Sequence, residues 1–164
     1  MNKSYALNIR QGRAYWQMDI LWVVLAEGKD TNNQVSALWE LCPVGSGPPP
    51  HYHDQDESFY VLDGQVTYRA GDDELVANTG SFVWIPRGTV HSFRVDSPTA
   101  TLLNYYSPAG TEQLVIQGGQ PAEHFDLPPQ GLPNNPLPQP ELLALFQRIG
   151  MHPVDQPDVL RPAK

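Results

Sequence analysis

The amino-acid sequence predicts an all-β fold closed into a barrel or sandwich of the jelly-roll kind, followed by a short helical and proline-rich extension. Three observations predict it. Seventeen prolines and thirteen glycines punctuate 164 residues, which suits many short segments joined by turns better than a bundle of helices. Aromatic and β-branched runs recur about every eight to twelve residues with turn signals between them, as short strands do in a closed architecture. A hydrophobic share of 40% over a chain of this length is enough for one domain with a substantial core.

Taken in order, residues 15–26 (YWQMDILWVVLA) are aromatic and β-branched and form a strand. A polar connection over residues 27–33 leads to a second run, residues 35–42 (VSALWELC), and the two make an antiparallel pair. Trp16, Trp22 and Trp39 pack in the core of these strands or, for one or two of them, line a ligand pocket. Further strands follow at residues 58–62, 65–69, 74–77, 82–85, 91–95 and 101–106. Asp63-Gly64, Gly71-Asp72-Asp73 and Asn78-Thr79-Gly80 supply turns between them.

Beyond Pro108 the composition changes. Residues 111–117 contain a β-branched pair, but Thr111 at the start and Gly118 as a stop favour a short helix. Residues 121–140 carry seven prolines and no periodicity, so they are either an ordered arm lying on the barrel or a flexible linker. In residues 141–149 (ELLALFQRI), Leu142, Leu145, Phe146 and Ile149 share one helical stripe between Pro140 and Gly150. A helix this short is marginal alone and should dock on the barrel or on a partner subunit. On this division, residues 1–120 are the barrel with its N-terminal strands and residues 121–164 the arm and helix. His124 and His152 fall outside every motif and are expected at the surface.

The chemistry concentrates in residues 45–64, GSGPPPHYHDQDESFYVLDG. His51 and His53 are one residue apart, so on an extended chain both imidazoles leave the same face. Glu57 shares their parity and can return a carboxylate to the same point if the chain turns at residues 54–56. Pro48, Pro49 and Pro50 fix φ just before His51 and stiffen the approach. A fourth candidate, His91, opens an apolar alternating run with Phe93 and Val95 after a Pro86-x-Gly88 turn. Imidazoles and a carboxylate together suit one divalent transition metal per chain, and Fe, Mn, Ni, Co, Cu and Zn are all compatible with this set. A lone His-x-His is weak evidence; the conjunction of three ligand types in two patterned stretches lifts it.

These residues resemble a known family. Gly45, His51, His53, Glu57 and Gly64 match the first motif of the cupins, and Gly80, Pro86, Gly88 and His91 the second, with Val95 standing where the family usually has Asn. The wording of both motifs and the C-terminal tail is similar to small single-domain relatives of the bacterial quercetinases, the flavonol dioxygenases. The resemblance implies a cupin jelly-roll barrel (double-stranded β-helix) with His51, His53, Glu57 and His91 as metal ligands. It further implies that Glu57 is the catalytic base for a flavonol 3-hydroxyl, after which O₂ cleaves the ring and carbon monoxide and a depside leave. Phe59, Val61, Phe93, Trp39 and Tyr105 are the candidates for apolar pocket walls, each of them equally compatible with plain core packing.

Composition bounds the alternatives. A net charge of −8 with ten Lys and Arg argues against nucleic acid and against an anionic membrane surface. The N-terminus lacks an apolar signal core, and no run reaches spanning length, so a cytoplasmic location is expected. Cys42, the single cysteine, is expected to be a small buried hydrophobe. The expected partners are a small-molecule substrate and O₂, with a homodimer formed through the apolar N-terminal strands. Three classes of function stay open: the dioxygenase, a metal-dependent isomerase or decarboxylase, and a non-catalytic small-molecule-binding cupin, the last including a barrel whose metal site is built but empty.

Overall fold

The computed structural model describes residues 3–133, 136–155 and 160. Its strands are β1 (Arg13–Gln17), β2 (Ile20–Ala26), β3 (Ser36–Pro43), β4 (His51–His53), β5 (Asp56–Asp63), β6 (Gln65–Ala70), β7 (Asp73–Asn78), β8 (Phe82–Ile85), β9 (His91–Val95) and β10 (Thr99–Ser107). After these come α1 (Glu112–Gly118), β11 (Gln120–Pro121), α2 (Gln139–Ile149) and β12 (Met151–Pro153). They build two antiparallel sheets, one in the order β11-β1-β2-β3-β10-β5-β8 and the other β12-β4-β9-β6-β7. The jelly roll expected from the short-strand pattern is therefore the observed fold.

The core lies between the sheets because each central strand alternates. On β10, Ala100, Leu102, Asn104 and Tyr106 are buried inward while the residues between them are less so. Phe59, Tyr68 and Phe93 meet from three strands with centroids 4.9–5.7 Å apart. Val95, the departure from the second motif, is 1% exposed and opposite Val66, so an apolar residue fits there. Cys42 is fully buried, as expected.

The first expected strand divides. Residues 15–26 form two strands that fold back at Met18-Asp19, with Met18 at φ 57° and Gln17 opposite Ile20. β2 then pairs with β3 as anticipated. Nothing in Gln-Met-Asp announces a hairpin in the way Asn-Gly or Asp-Gly does.

The extension lies on the barrel. Trp16, Leu21, Val23 and Trp39 form a cluster on the outer face of the seven-stranded sheet, packed beneath Ala122, Phe125 and Leu132. Phe125 stacks on Trp39 with centroids 5.4 Å apart, and the Trp16 indole N–H donates to the Asp126 carbonyl at 2.8 Å. The apolar N-terminal strands, expected to offer a dimer face, are thus covered by the chain's own arm. At the other end of the barrel, Leu145, Ile149 and Met151 form a third cluster with Leu114 and Phe146. Exactly one stripe of α2 is turned inward, and Gly150 ends the helix in the left-handed region at φ 68°. His124 is exposed and edge-on to Trp16, whereas His152 is half-buried against Tyr52. No helix among the described residues is long and apolar enough to cross a membrane.

Candidate metal centre

β4 is extended, so His51 and His53 leave it on one side, and its partner β9 places His91 directly across from His51. The three rings gather with centroids 4.3 Å (His51–His91), 4.9 Å (His53–His91) and 5.7 Å (His51–His53) apart. Their ligating nitrogens lie within 4.8 Å of one another. Glu57 comes from the opposite sheet. The chain leaves β4 after His53, turns through Asp54 and Gln55, and enters β5, whose inward positions include Glu57 and Phe59. Glu57 Oε2 lies 3.2 Å from His53 Nε2 and 2.9 Å from His91 Nε2.

One feature repeats at all three histidines. His51 Nδ1 contacts the Pro49 carbonyl at 2.8 Å, His53 Nδ1 the Gln55 carbonyl at 2.9 Å, and His91 Nδ1 the Thr89 carbonyl at 2.8 Å. A carbonyl only accepts, so each Nδ1 carries the hydrogen, and in each neutral ring Nε2 is left as a bare lone pair. These lone pairs turn toward a carboxylate oxygen in a nearly closed space. Burial and the neighbouring His91 hold the His51 pKa down at about 3, so that ring is neutral. Burial also opposes charge on His91, but its hydrogen bond and attraction to Glu57 outweigh it and raise its pKa. Burial opposes ionisation of Glu57 as well; contacts from His53 and His91 prevail and hold it well below the usual carboxylate range. His91 Nε2 is buried and, despite its closeness to Glu57, has no hydrogen bond of acceptable geometry. Lone pairs and a carboxylate converging without donors are what a divalent cation satisfies, so the donor set fits a metal.

The carboxylate is held from behind. Asn104 Nδ2 donates to Glu57 Oε1 at 3.0 Å and to the Tyr106 hydroxyl at 3.1 Å, which leaves Oε2 for the histidines. Tyr106 lies edge-on to His53, and burial together with the Glu57 and Glu40 charges keeps its phenol protonated well above the usual range. A cavity of about 290 Å³ opens above the cluster. Its walls include Phe59, Phe93, Leu38 and Trp22, and its mouth is roofed by Leu114 and Val115 of α1, Phe146 of α2 and Met151 of β12.

Of the residues expected in the walls, Phe59 and Phe93 line the cavity, while Val61 is fully buried in the barrel core and does not reach it. Trp39 and Tyr105 belong to the other side of the sheet. Trp39 faces outward beneath Phe125, and Tyr105 alternates outward between the inward Asn104 and Tyr106. The sequence reading missed Asn104, Tyr106 and the roof residues of the C-terminal extension. Asn104 carried a signal, since a polar residue sharing parity with Leu102 points into a barrel otherwise filled by apolar side chains.

Comparison with known proteins agrees with this geometry. The cupin-domain family profile matches residues 37–105, which spans the strands carrying all four residues. Over 131 residues, 78% of this chain, the sequence is 32% identical to quercetin 2,3-dioxygenase of Bacillus subtilis. The matched region is 39% of that protein's length, so the chain spans well under half of it. Among solved structures, KdgF from Halomonas sp. superposes with a TM-score of 0.59 at 19% identity, covering 68% of this chain and all of that one. A protein described as a predicted oxalate decarboxylase from Thermotoga maritima gives 0.60 at 14% identity, covering 63% and 99%. At such identities the structural likeness is one of fold.

Proposed function

Since this chain belongs to the cupins and within them resembles the bacterial quercetinases, we infer that it is a metal-dependent dioxygenase, cleaving a flavonol or similar enolisable aromatic substrate with O₂. The observation that carries the reading is the set of three Nε2 lone pairs and one carboxylate oxygen, each fixed from behind, facing one point at the floor of an apolar cavity. His51, His53, His91 and Glu57 would hold one divalent metal. When bound, such a metal supplies Lewis acidity that lowers the pKa of a substrate hydroxyl.

The chain's own residues supply the rest. Phe59, Phe93 and Leu38 offer flat and apolar walls to an aromatic ring, and the roof of Leu114, Phe146 and Met151 limits water at the reacting end. Glu57 is the base. Its Oε2 faces the cavity floor, where it accepts the hydroxyl proton, and its low pKa means that it is ionised before substrate arrives. Asn104 keeps Oε1 occupied, so the proton is received on the oxygen that faces the substrate. A second reading has one specific observation behind it: the Glu57 carboxylate and the protonated Tyr106 phenol form a base and acid pair that could serve an isomerase or decarboxylase without oxygen.

One experiment separates them. Protein loaded in turn with each candidate metal is given a panel of flavonols and other enolisable substrates, with and without air, while dissolved oxygen and carbon monoxide are followed. The dioxygenase reading expects oxygen uptake with carbon monoxide release, falling at least about a hundredfold in Glu57→Gln, as is common for loss of a general base. Turnover that proceeds equally without oxygen would assign the second reading, and no turnover by fully loaded protein would leave a binding module.

A further inference from the structure

The outer face of the seven-stranded sheet is apolar along its whole width, but the arm covers only half of it. Over β1, β2 and β3 the face is buried under Phe125 and its neighbours. Over β5 and β8 it is bare: Tyr60 is 41% exposed, Leu62 38%, Phe82 63% and Trp84 51%. In the β5–β8 register Tyr60 sits opposite Phe82, with Ser58 opposite Trp84, so these side chains make one continuous patch. β8 is also the last strand of its sheet, and among the described residues nothing pairs with its far edge.

That edge has a definite hydrogen-bonding pattern. Val61 N–H donates to the Ser81 carbonyl, and the same register carries through Phe59 opposite Val83 and Glu57 opposite Ile85. Bonded and non-bonded positions alternate in an antiparallel ladder, so Val83 and Ile85 turn their backbone groups toward β5 while Phe82 and Trp84 turn theirs to the open edge. We propose that a second copy of this chain pairs with β8 about a two-fold axis through Val83, joining the two seven-stranded sheets edge to edge.

The register is self-complementary. With the axis at Val83, Phe82 lies opposite the partner's Trp84 and Trp84 opposite the partner's Phe82. Both are backbone-bonding positions with side chains on the same outer face. A two-fold interface requires such reciprocity, and an aromatic pair on each side of the axis is a favoured cross-strand contact. The alternative centre between Val83 and Trp84 would set inward side chains against outward ones, which the period of two forbids.

The area fits a modest dimer. Taking about 200 Å² for a large aromatic side chain, Tyr60, Phe82 and Trp84 leave roughly 300 Å² bare in each copy, against the roughly 800 Å² per partner of a standard interface. Leu62, the half-buried Leu103 and Tyr105 and the strand edge add to it, which places the assembly in the class that dissociates on dilution. The patch itself bears no charge, so the net charge of −8 acts against pairing only at long range, and added salt should tighten it.

Sedimentation equilibrium of the full chain over a wide concentration range tests this. The apparent mass is expected to rise from 18.3 kDa toward twice that value, and amide exchange at Phe82 and Trp84 to slow as it rises. Phe82→Glu and Trp84→Lys alone are each expected to stay monomeric with unchanged circular dichroism. Combined, they should regain the dimer, because the new carboxylate at position 82 then meets the new ammonium at the partner's position 84. A wild-type chain monomeric throughout, or a dimer that Trp84→Lys leaves intact, overturns the proposal. So does amide exchange in wild-type β8 that is independent of concentration.

Discussion

Glu57 and Glu40 face the same barrel interior from strands on either side of β10, and burial has opposite outcomes for them. Glu57 has histidines and Asn104 for partners and stays charged; Glu40 has few. Burial raises the Glu40 pKa from 4.5 to about 8; contacts with Asn104 and Cys42 offset this only partly, and the charge on Glu57 adds to it. One of its oxygens, Oε1, has no hydrogen-bond partner in the protein. The consequence for stability has a definite sign. In the unfolded chain Glu40 ionises near 4.5, in the folded chain near 8, so between these values the native state holds the extra proton. Its stabilisation is complete below about pH 4.5 and is lost as pH rises through about 8, at up to ~1.4 kcal/mol per pH unit for one proton. Glu40→Gln should therefore melt with a flatter pH profile than the wild type and gain relative to it most at pH 9. Melting curves from pH 5 to 9 decide this, and parallel profiles for the two proteins would show that Glu40 does not titrate in this range.

Among the elements, β12 links the C-terminal extension to the candidate site. It pairs with β4, placing Met151 opposite His53 and Pro153 opposite His51, so the strand that presents two of the histidines is held from outside by the tail. Gly150 sets the course from α2 into β12: its φ of 68° suits glycine, its carbonyl accepts from Asp54 N–H at 3.1 Å, and any Cβ would press into the Asp54 side chain. Gly150→Ala should cost on the order of 1–2 kcal/mol for the left-handed backbone alone, and more for the clash. Gly71→Ala makes the comparison, because its φ of 58° is similar but open space surrounds it. We expect the Gly150 variant to melt lower than the Gly71 variant and to take up metal more weakly in equilibrium dialysis. Equal melting and equal uptake would mean that the tail does not support β4. This support was not legible in the sequence. The α2 stripe was, through its spacing and its Pro and Gly boundaries, but which surface it docked on depends on contacts about a hundred residues apart, such as Gln55 Nε2 to the Ile149 carbonyl.

Across the whole molecule, legibility followed the range over which a residue's environment is set. His51, His53 and His91 sit on short strands whose facing follows from nearby turns, and the structure gathers them as the two motifs implied. Wall residues failed where local pattern was ambiguous: Tyr105 and Tyr106 offer the same side chain on both faces, and the run around Trp39 is apolar on both because the arm buries its outer side. The candidate site also joins the halves of the fold, since Glu57 belongs to the seven-stranded sheet and the three histidines to the five-stranded one. A cation held by all four side chains ties the sheets together in the native state only, because the unfolded chain scatters these ligands over forty positions. At a free metal concentration a hundredfold above Kd, such binding adds ~2.7 kcal/mol, which for a chain of this size raises the melting temperature by about 5–10 °C. Chelator-stripped protein should accordingly melt lower than protein given one suitable divalent metal. His53→Ala and His91→Ala should lose the increment, and Glu57→Gln should retain part of it through the three imidazoles. Calorimetry with Mn, Fe, Co, Ni, Cu and Zn added singly measures it, and a melting temperature that none of the six moves would rule out a metal bridge between the two sheets.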